Sequence, residues 1–230
     1  IRAALTVAGS AAPLTDDAKL ADATASYSRY VRSQTAALLP KTEEFVAAVK
    51  AGEIDKAKAL FPVARTYWER IEPVAEIFGD LDPKIDGRAE VVDEGMEFTG
   101  YHRLERDLWE TGLQADSAAM ADRLLADVTE LVTLAKAVEL NPLQLANGSK
   151  ALLDEIATGK ITGEEERYSH TDLWDFEANV AGAQKGFETL EQLRQAVHEC
   201  RGKQLGIVFA RSKESVEHQP KRRRQLVDLG

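Results

Sequence analysis

Ser117-AAMADRLLADVTELVTLAKA-Val138 decides the fold. Met120, Leu124, Val128, Leu131, Ala135 and Val138 recur every three or four residues, the stripe of an amphipathic helix. Asp116 or Ser117 can cap its start, and Asn141-Pro142 stops it. The same period returns on both sides. Upstream, residues 16–51 place Tyr27, Tyr30, Val31, Gln34, Leu38, Phe45, Val46 and Val49 on one face, with Pro40 expected to kink or split the helix. A second helix, from near Asp55 to Gly79, carries Leu60, Phe61, Ala64, Trp68, Ile71, Ala75 and Phe78, with bends expected at Pro62 and Pro73. Residues 79–97 read as a loop rich in Asp, Gly and Pro. Thr99 can cap a short helix bearing His102, Leu104, Glu105, Leu108 and Trp109. Downstream, a helix spans about 143–158. Another opens at Ser169 or Thr171 with the stripe Leu173, Phe176, Val180, Ala183, Phe187, Leu190 and Leu193. Successive helices on short loops predict an all-α fold, an antiparallel helical bundle.

The ends read differently. Residues 3–9 suggest a short strand, the remnant of a preceding domain, and residues 10–14 a linker. The helical domain is expected over 15–195, and an irregular, atypical basic tail over 196–230. From Glu199 the tail carries eight Lys and Arg against four Asp and Glu, a reversal of sign in a chain whose total is −10. Loss of apolar period together with that reversal suggests an altered reading frame or a truncated gene.

Bulk composition narrows the function. With 230 residues and 44% hydrophobic content, the chain can bury a full core without disulfides. One cysteine, Cys200, allows no internal disulfide. The net acidity argues against nucleic acid as a partner, because phosphate binding needs basic surface. No apolar run reaches transmembrane length. HExxH, GxSxG, P-loop and GxGxxG motifs are all missing.

Four segments can carry chemistry. His102-Arg103-Leu104-Glu105 sets His and Glu at i and i+3 on one helix face, a spacing that di-metal bundles use. Glu69 and Glu72 are also i and i+3. Two such acids repel unless a cation lies between them, although Arg65 or Arg70 can relieve the repulsion. Asp80, Asp82 and Asp86, with Arg88, sit in the loop, where Asp is common in turns. Tyr168-Ser169-His170-Thr171-Asp172, followed by Trp174, Asp175 and Glu177, opens a helix, and Ser169 with Asp172 resembles a capping box.

Taken in order, YWERIEP (Tyr67–Pro73), Asp80-Leu81-Asp82 with Ile85-Asp86, FTGYHRLE (Phe98–Glu105) and GEEERYSHTDLWDF (Gly163–Phe176) resemble the imelysin-like, peptidase-type domain of the EfeO family. These are extracytoplasmic components of bacterial iron uptake. The likeness spans roughly residues 18–193, and YSHTDLWDFEANV (Tyr168–Val180) is its most specific part. The resemblance implies four-helix bundles, often preceded by a cupredoxin-like domain. It implies a protein that binds iron, as Fe2+ or Fe3+, and passes it to a membrane permease beside a haem-peroxidase-like component. It implies a periplasmic or extracytoplasmic location, lipid-anchored or free. Carried over residue by residue, the metal ligands fall on Glu69, Glu72, Asp86, His102 and Glu105, with His170 and Asp172 as further candidates.

The chain is thus expected to bind metal rather than to catalyse a reaction. Zinc or another divalent ion also suits oxygen-rich sites with imidazole. Two alternatives stand beside this. One is an imelysin-type metallopeptidase with Glu105 as base, and the other a metal-dependent polysaccharide-binding module.

Overall fold

The computed structural model describes residues 17–90, 97–158, 160–163 and 165–217. It is all-α, with seven α-helices and no strand among the described residues: α1 (Asp17–Lys50), α2 (Ile54–Glu69), α3 (Leu81–Asp86), α4 (Gly100–Arg106), α5 (Ser117–Ala135), α6 (Pro142–Thr158) and α7 (Asp172–Glu217). Shorter 3₁₀ turns cover Glu72–Phe78 and Lys160–Thr162, and a π-helical turn covers Asp107–Thr111.

α1 is the spine. It packs along α2 and α5 and touches α7, while α6 packs on α7 and on the 3₁₀ turn at Glu72–Phe78. The inner face of α1 presents Tyr27, Val31, Leu38, Phe45 and Val49 to Phe61 and Trp68 of α2, Tyr101 of α4, and Leu124, Val128 and Leu131 of α5. Phe45 lies 5.8 Å from both Phe61 and Tyr101, ring centre to ring centre. The Tyr101 hydroxyl meets Thr42 Oγ1 at 2.8 Å. Burying each such apolar side chain contributes about 1.5–3 kcal/mol.

Several expectations are corrected. Pro40 does not split α1, because buried Leu38 and Phe45 anchor both sides of it in one core. α2 runs through Pro62 but ends at Glu69 rather than reaching Gly79. Pro73, with no N–H to donate, opens the 3₁₀ turn instead. The supposed loop 79–97 contains α3. The expected irregular tail is helical through Glu217, since residues 194–217 are rich in helix formers even without an apolar stripe. The expected strand at residues 3–9 and the basic run Lys221–Arg224 lie outside the described residues.

α7 buries part of the stripe its period suggested: Ala183 and Leu193 are buried, and Phe176 and Leu190 pack against the core. Leu173, Val180 and Phe187 are exposed. Asp175, Ala178, Asn179, Gly182, Gly186 and Thr189 are buried in addition. Small residues let the helix approach closely. Gly182 sits where a Cβ would lie 2.4 Å from the Arg70 carbonyl oxygen. The polar members of this face point at the charged centre of the molecule.

Candidate metal centre

Six pieces of chain converge on one buried charged cluster. α2 supplies Arg65 and Glu69, and the 3₁₀ turn after it supplies Glu72. α3 gives Asp86, and α4 gives His102 and Glu105. The 160–170 connection brings Lys160, Glu165 and Glu166, and α7 adds Asp175 and Asn179. Glu72 is the most open of these carboxylates, with its side chain 18% exposed.

Local sequence explains the convergence. Gly100 opens α4 at φ +82°, and a Cβ there would lie 2.2 Å from the Ile85 carbonyl oxygen. Only glycine lets the end of α3 abut the start of α4, which brings Asp86 Oδ1 within 3.6 Å of His102 Nε2. Buried Asp107 then pins α4 to α5. It pairs with Arg103, and its Oδ2 accepts from Ser117 Oγ at 2.6 Å. The close approach at Gly182 lets Asn179 Nδ2 donate to Glu69 Oε2 at 2.9 Å and to Glu72 Oε2 at 2.5 Å.

The connection before α7 is folded by its own backbone. Glu105 Oε1 accepts the N–H groups of Tyr168 at 3.0 Å and Ser169 at 2.7 Å. Asp172 Oδ1 accepts from the Glu166 N–H at 3.0 Å. His170 adopts φ +56° and donates its N–H to the Glu166 carbonyl at 2.8 Å. These bonds hold Glu165 and Glu166 toward the interior. They also replace the expected capping box, because the Ser169 N–H and the Asp172 carboxylate have other partners.

Charge is unevenly matched here. Glu69, Glu72, Asp86, Glu105, Glu165, Glu166 and Asp175 face two buried cations, Arg65 and Lys160, and the partly exposed Arg88, 3.5 Å from Glu165 Oε2. Arg65 pairs with Glu69, reaches Glu166 Oε1 at 2.7 Å and Asp86 Oδ1 at 3.2 Å, and lies 3.8 Å from Asp175. Lys160 Nζ lies 2.7 Å from Glu72, 3.4 Å from Glu69 and 3.6 Å from Glu165. Asp86 Oδ1, Glu165 Oε2, both Asp175 oxygens and Asn179 Oδ1 are buried and accept no hydrogen bond. Such orphaned acceptors are costly and call for protons or a further cation.

The ionisation equilibria reflect that shortage. Burial pushes the Asp86 and Glu72 carboxyls well up, with Arg65 opposing this at Asp86 and the Glu69 charge adding to it at Glu72. Burial likewise raises Glu166, and Asp175 to about 7. Burial opposes ionisation of Glu69 too, but Lys160 and Arg65 outweigh it and lower its pKa. Burial and the neighbouring Arg65 lower His102, so its imidazole is neutral at pH 7.

The imidazole is also oriented. Arg65 Nη1 can only donate, and it meets His102 Nε2 at 3.0 Å, so Nε2 accepts. Nδ1 therefore carries the proton and donates to Glu105 Oε2 at 3.1 Å. A neutral imidazole held by a carboxylate at one nitrogen is the usual form of a metal-binding histidine, and a metal at Nε2 would take over the lone pair that now accepts from Arg65.

Three groups of side chains could hold a metal ion: Asp86, His102 and Glu165; His102, Glu105 and Glu166; and Glu69, Glu72 and Glu165. Within each, the ligand atoms lie within 4.8 Å of one another. Ions such as Zn2+ or Mg2+ bind oxygen at about 2.0–2.2 Å, so filling one of these groups draws its ligand atoms together and moves aside the Lys160 or Arg65 cation now beside them. The donor set is oxygen with one imidazole nitrogen, which fits a hard or borderline cation.

The structure thus brings together Glu69, Glu72, Asp86, His102 and Glu105. It leaves His170 exposed and uses Asp172 to hold the backbone, so neither joins the cluster. Arg65 does relieve the acid repulsion, whereas Arg70 lies over Tyr67 at 5.5 Å and reaches Gln34 at 3.5 Å. Sequence reading did not single out Glu165, Glu166, Lys160 or Asn179, and it named Asp175 only as a residue that follows the Tyr168–Asp172 segment. The one available signal was the i, i+4 spacing of Asp175 and Asn179 on α7 beside small residues.

Comparison with known proteins agrees with this architecture. The sequence model of the imelysin family (Peptidase_M75) matches residues 23–227. An Efem/EfeO family lipoprotein of Staphylococcus haemolyticus (strain JCSC1435) is 50% identical over 175 residues, covering 74% of this chain and 61% of that protein. An Efem/EfeO family lipoprotein of Staphylococcus aureus (strain NCTC 8325 / PS 47) is 47% identical over 180 residues, covering 76% of this chain and 63% of that protein. The chain therefore spans less than two thirds of the length of these relatives. No helix among the described residues is long and apolar enough to cross a membrane. By the extent of the family match, the chain belongs to the imelysin family.

Proposed function

We propose that this chain binds iron outside the cytoplasmic membrane and delivers it to a membrane permease, within a lipid-anchored uptake component that works beside a haem-peroxidase-like partner. One observation carries the binding step. Seven carboxylates converge with a neutral, oriented imidazole around two buried cations and the partly exposed Arg88, and several of their oxygens accept no hydrogen bond. The relatives' printed description as Efem/EfeO family lipoproteins supports the anchoring and the uptake role. In this reading Asp86, His102 Nε2, Glu165, Glu69 and Glu72 contact the metal, and Glu105 holds His102.

A peptidase reading has less support. Glu105 is fully buried, and both of its oxygens already accept hydrogen bonds, so it is poorly placed to act as a base on a metal-bound water.

Metal-titrated thermal unfolding tests the proposal, with Fe2+ under anaerobic conditions, Zn2+, Mn2+ and Ca2+. An ion that binds only the folded state raises the midpoint with the logarithm of its concentration. A rise with Fe2+ that disappears in Glu69→Ala/Glu72→Ala supports iron binding at this cluster. No shift with any of the four ions overturns it.

A further inference from the structure

The Glu69–Glu72–Glu165 group already contains a cation. Lys160 Nζ lies 2.7 Å from both oxygens of Glu72, 3.4 Å from Glu69 Oε2 and 3.6 Å from Glu165 Oε1. Every carboxylate of that group faces the ammonium, so a metal ion ligated by the same three side chains would have to occupy nearly the same volume.

The two buried cations differ in how they are held. Arg65 sits inside α2, with its guanidinium 5.7 Å from the Phe61 ring and bonds or ion pairs to Glu69, Glu166 and His102. Its planar guanidinium is tied at several points at once. Lys160 stands on a three-residue 3₁₀ turn, Lys160–Thr162, between α6 and α7. Its four-carbon stem can swing the ammonium outward by rotation alone.

A way out is present. A cleft of about 430 Å3 between the Glu72–Phe78 turn and α6 is lined by Glu72, Glu76, Asp82, Gln144, Asn147 and Glu155, among others. Glu72 belongs both to this cleft and to the Lys160 site. An incoming cation therefore meets acidic side chains first, then Glu72, then the ammonium behind it.

We propose that Lys160 is a tethered cation which holds the Glu69–Glu72–Glu165 site in the metal-free protein and is exchanged for a divalent ion, its ammonium moving to solvent as the ion enters past Glu72. The exchange is of cations only. One ammonium leaves the cluster and one M2+ arrives, so the cluster gains a single positive charge and no bond to carbon changes. The metal draws the carboxylates inward from ammonium distances of 2.7–3.6 Å to about 2.0–2.2 Å. Return of the ammonium then favours release, so that a buried site can still deliver its ion. This inference rests on the metal-binding reading above.

Two measurements test it with Mn2+, which favours oxygen ligands. In calorimetric titrations, Lys160→Met should bind Mn2+ at least tenfold more tightly than wild type, and Lys41→Met, at an exposed pair with Glu44, should match wild type. In wild type, acetylation of Lys160, read by mass spectrometry, should be slow without metal and at least tenfold faster at saturation, with Lys41 unchanged. If Lys160→Met does not fold, the acetylation result decides. Equal or weaker binding by folded Lys160→Met, or a Lys160 that stays protected in the saturated protein, overturns the exchange while leaving metal binding intact. Absence of Mn2+ binding by wild type in calorimetry overturns the exchange at its premise. The four-ion unfolding series then decides the metal-binding reading separately.

Discussion

Glu105 Oε2 accepts the His102 Nδ1 proton at 3.1 Å while its other oxygen accepts two backbone N–H groups from the Tyr168–Ser169 turn. One carboxylate therefore fixes both the imidazole and the connection that carries Glu165 and Glu166. Burial opposes ionisation of Glu105, but the bonds from His102 and Ser169 outweigh it and hold its pKa down to about 2. It is an anion throughout the physiological range.

The first prediction follows from that bond. In Glu105→Gln an amide N–H can face Nδ1, which moves the imidazole proton to Nε2 and removes the lone pair offered to a metal. Metal affinity should fall about 10–100-fold, the usual effect of losing a carboxylate behind a histidine ligand. Calorimetry with Zn2+ measures this. An unchanged affinity would show that His102 does not contribute Nε2.

Glu69→Ala with Glu72→Ala should abolish most metal binding and also weaken the fold. Lys160 and Asn179 both donate to these carboxylates. Breaking a buried ion pair from one side costs about 3–5 kcal/mol, because the remaining charge is left without compensation. Adding Lys160→Met to the double variant should recover much of the lost stability without restoring binding. Denaturant unfolding with and without metal separates the two effects.

Much of the fold was legible because apolar period and burial agree. The α5 stripe is an example: Leu124, Val128, Leu131 and Ala135 are fully buried where the spacing put them. α7 was misread in part, at Leu173, Val180 and Phe187, for a physical reason. Its inward face carries Asp175, Asn179, Gly182 and Gly186, which look like a solvated or neutral face until a buried charged partner is known. The centre was legible in part. Glu69, Glu72, Asp86, His102 and Glu105 lie on or beside helices whose spacing relates them. Lys160, Glu165 and Glu166 come from an aperiodic connection, where charged residues are ordinarily exposed and spacing gives no phase. The backbone bonds to Glu105 and Asp172 hold Glu165 and Glu166 inward, and Lys160 is held by its pairs with Glu69, Glu72 and Glu165.

The buried acids also set a pH dependence. Burial raises Asp175 from 3.8 to about 7 and Asp82 from 3.8 to about 6, and it raises Glu72, Asp86 and Glu166 as well. Across roughly pH 4 to 7 these groups give the folded state more bound protons than the unfolded chain, so their contribution to stability falls as pH rises. Glu69 and Glu105 are lowered, and their contribution is lost only as pH falls below the ordinary carboxylate range. Metal-free protein should therefore have a higher unfolding midpoint at about pH 5.5 than at about pH 7.5. Saturating Mn2+ should raise the midpoint more at the higher pH, because protons and metal compete for the same oxygens. Thermal scans at both values check this, and a metal-induced rise that is larger at the lower pH would contradict it.

The junction of α3 and α4 offers the last prediction. Gly100 and Gly112 both adopt positive φ, +82° and +75°, but a Cβ at Gly100 would lie 2.2 Å from the Ile85 carbonyl, whereas nothing lies within 4 Å of one at Gly112. Gly112→Ala should thus cost only the positive-φ extended backbone conformation, φ +75° and ψ +161°, about 1–3 kcal/mol. Gly100→Ala should cost its own positive φ and the overlap as well, and the overlap can be relieved only by moving α3 away from α4. That movement separates Asp86 from His102, now 3.6 Å apart. The Gly100 variant should accordingly lose metal affinity together with stability, while the Gly112 variant loses stability alone. Unfolding midpoints and calorimetric affinities for the pair distinguish a lost contact from a general weakening of the fold. Equal affinities in the two variants would show that the Asp86–His102 distance is not what the ion requires.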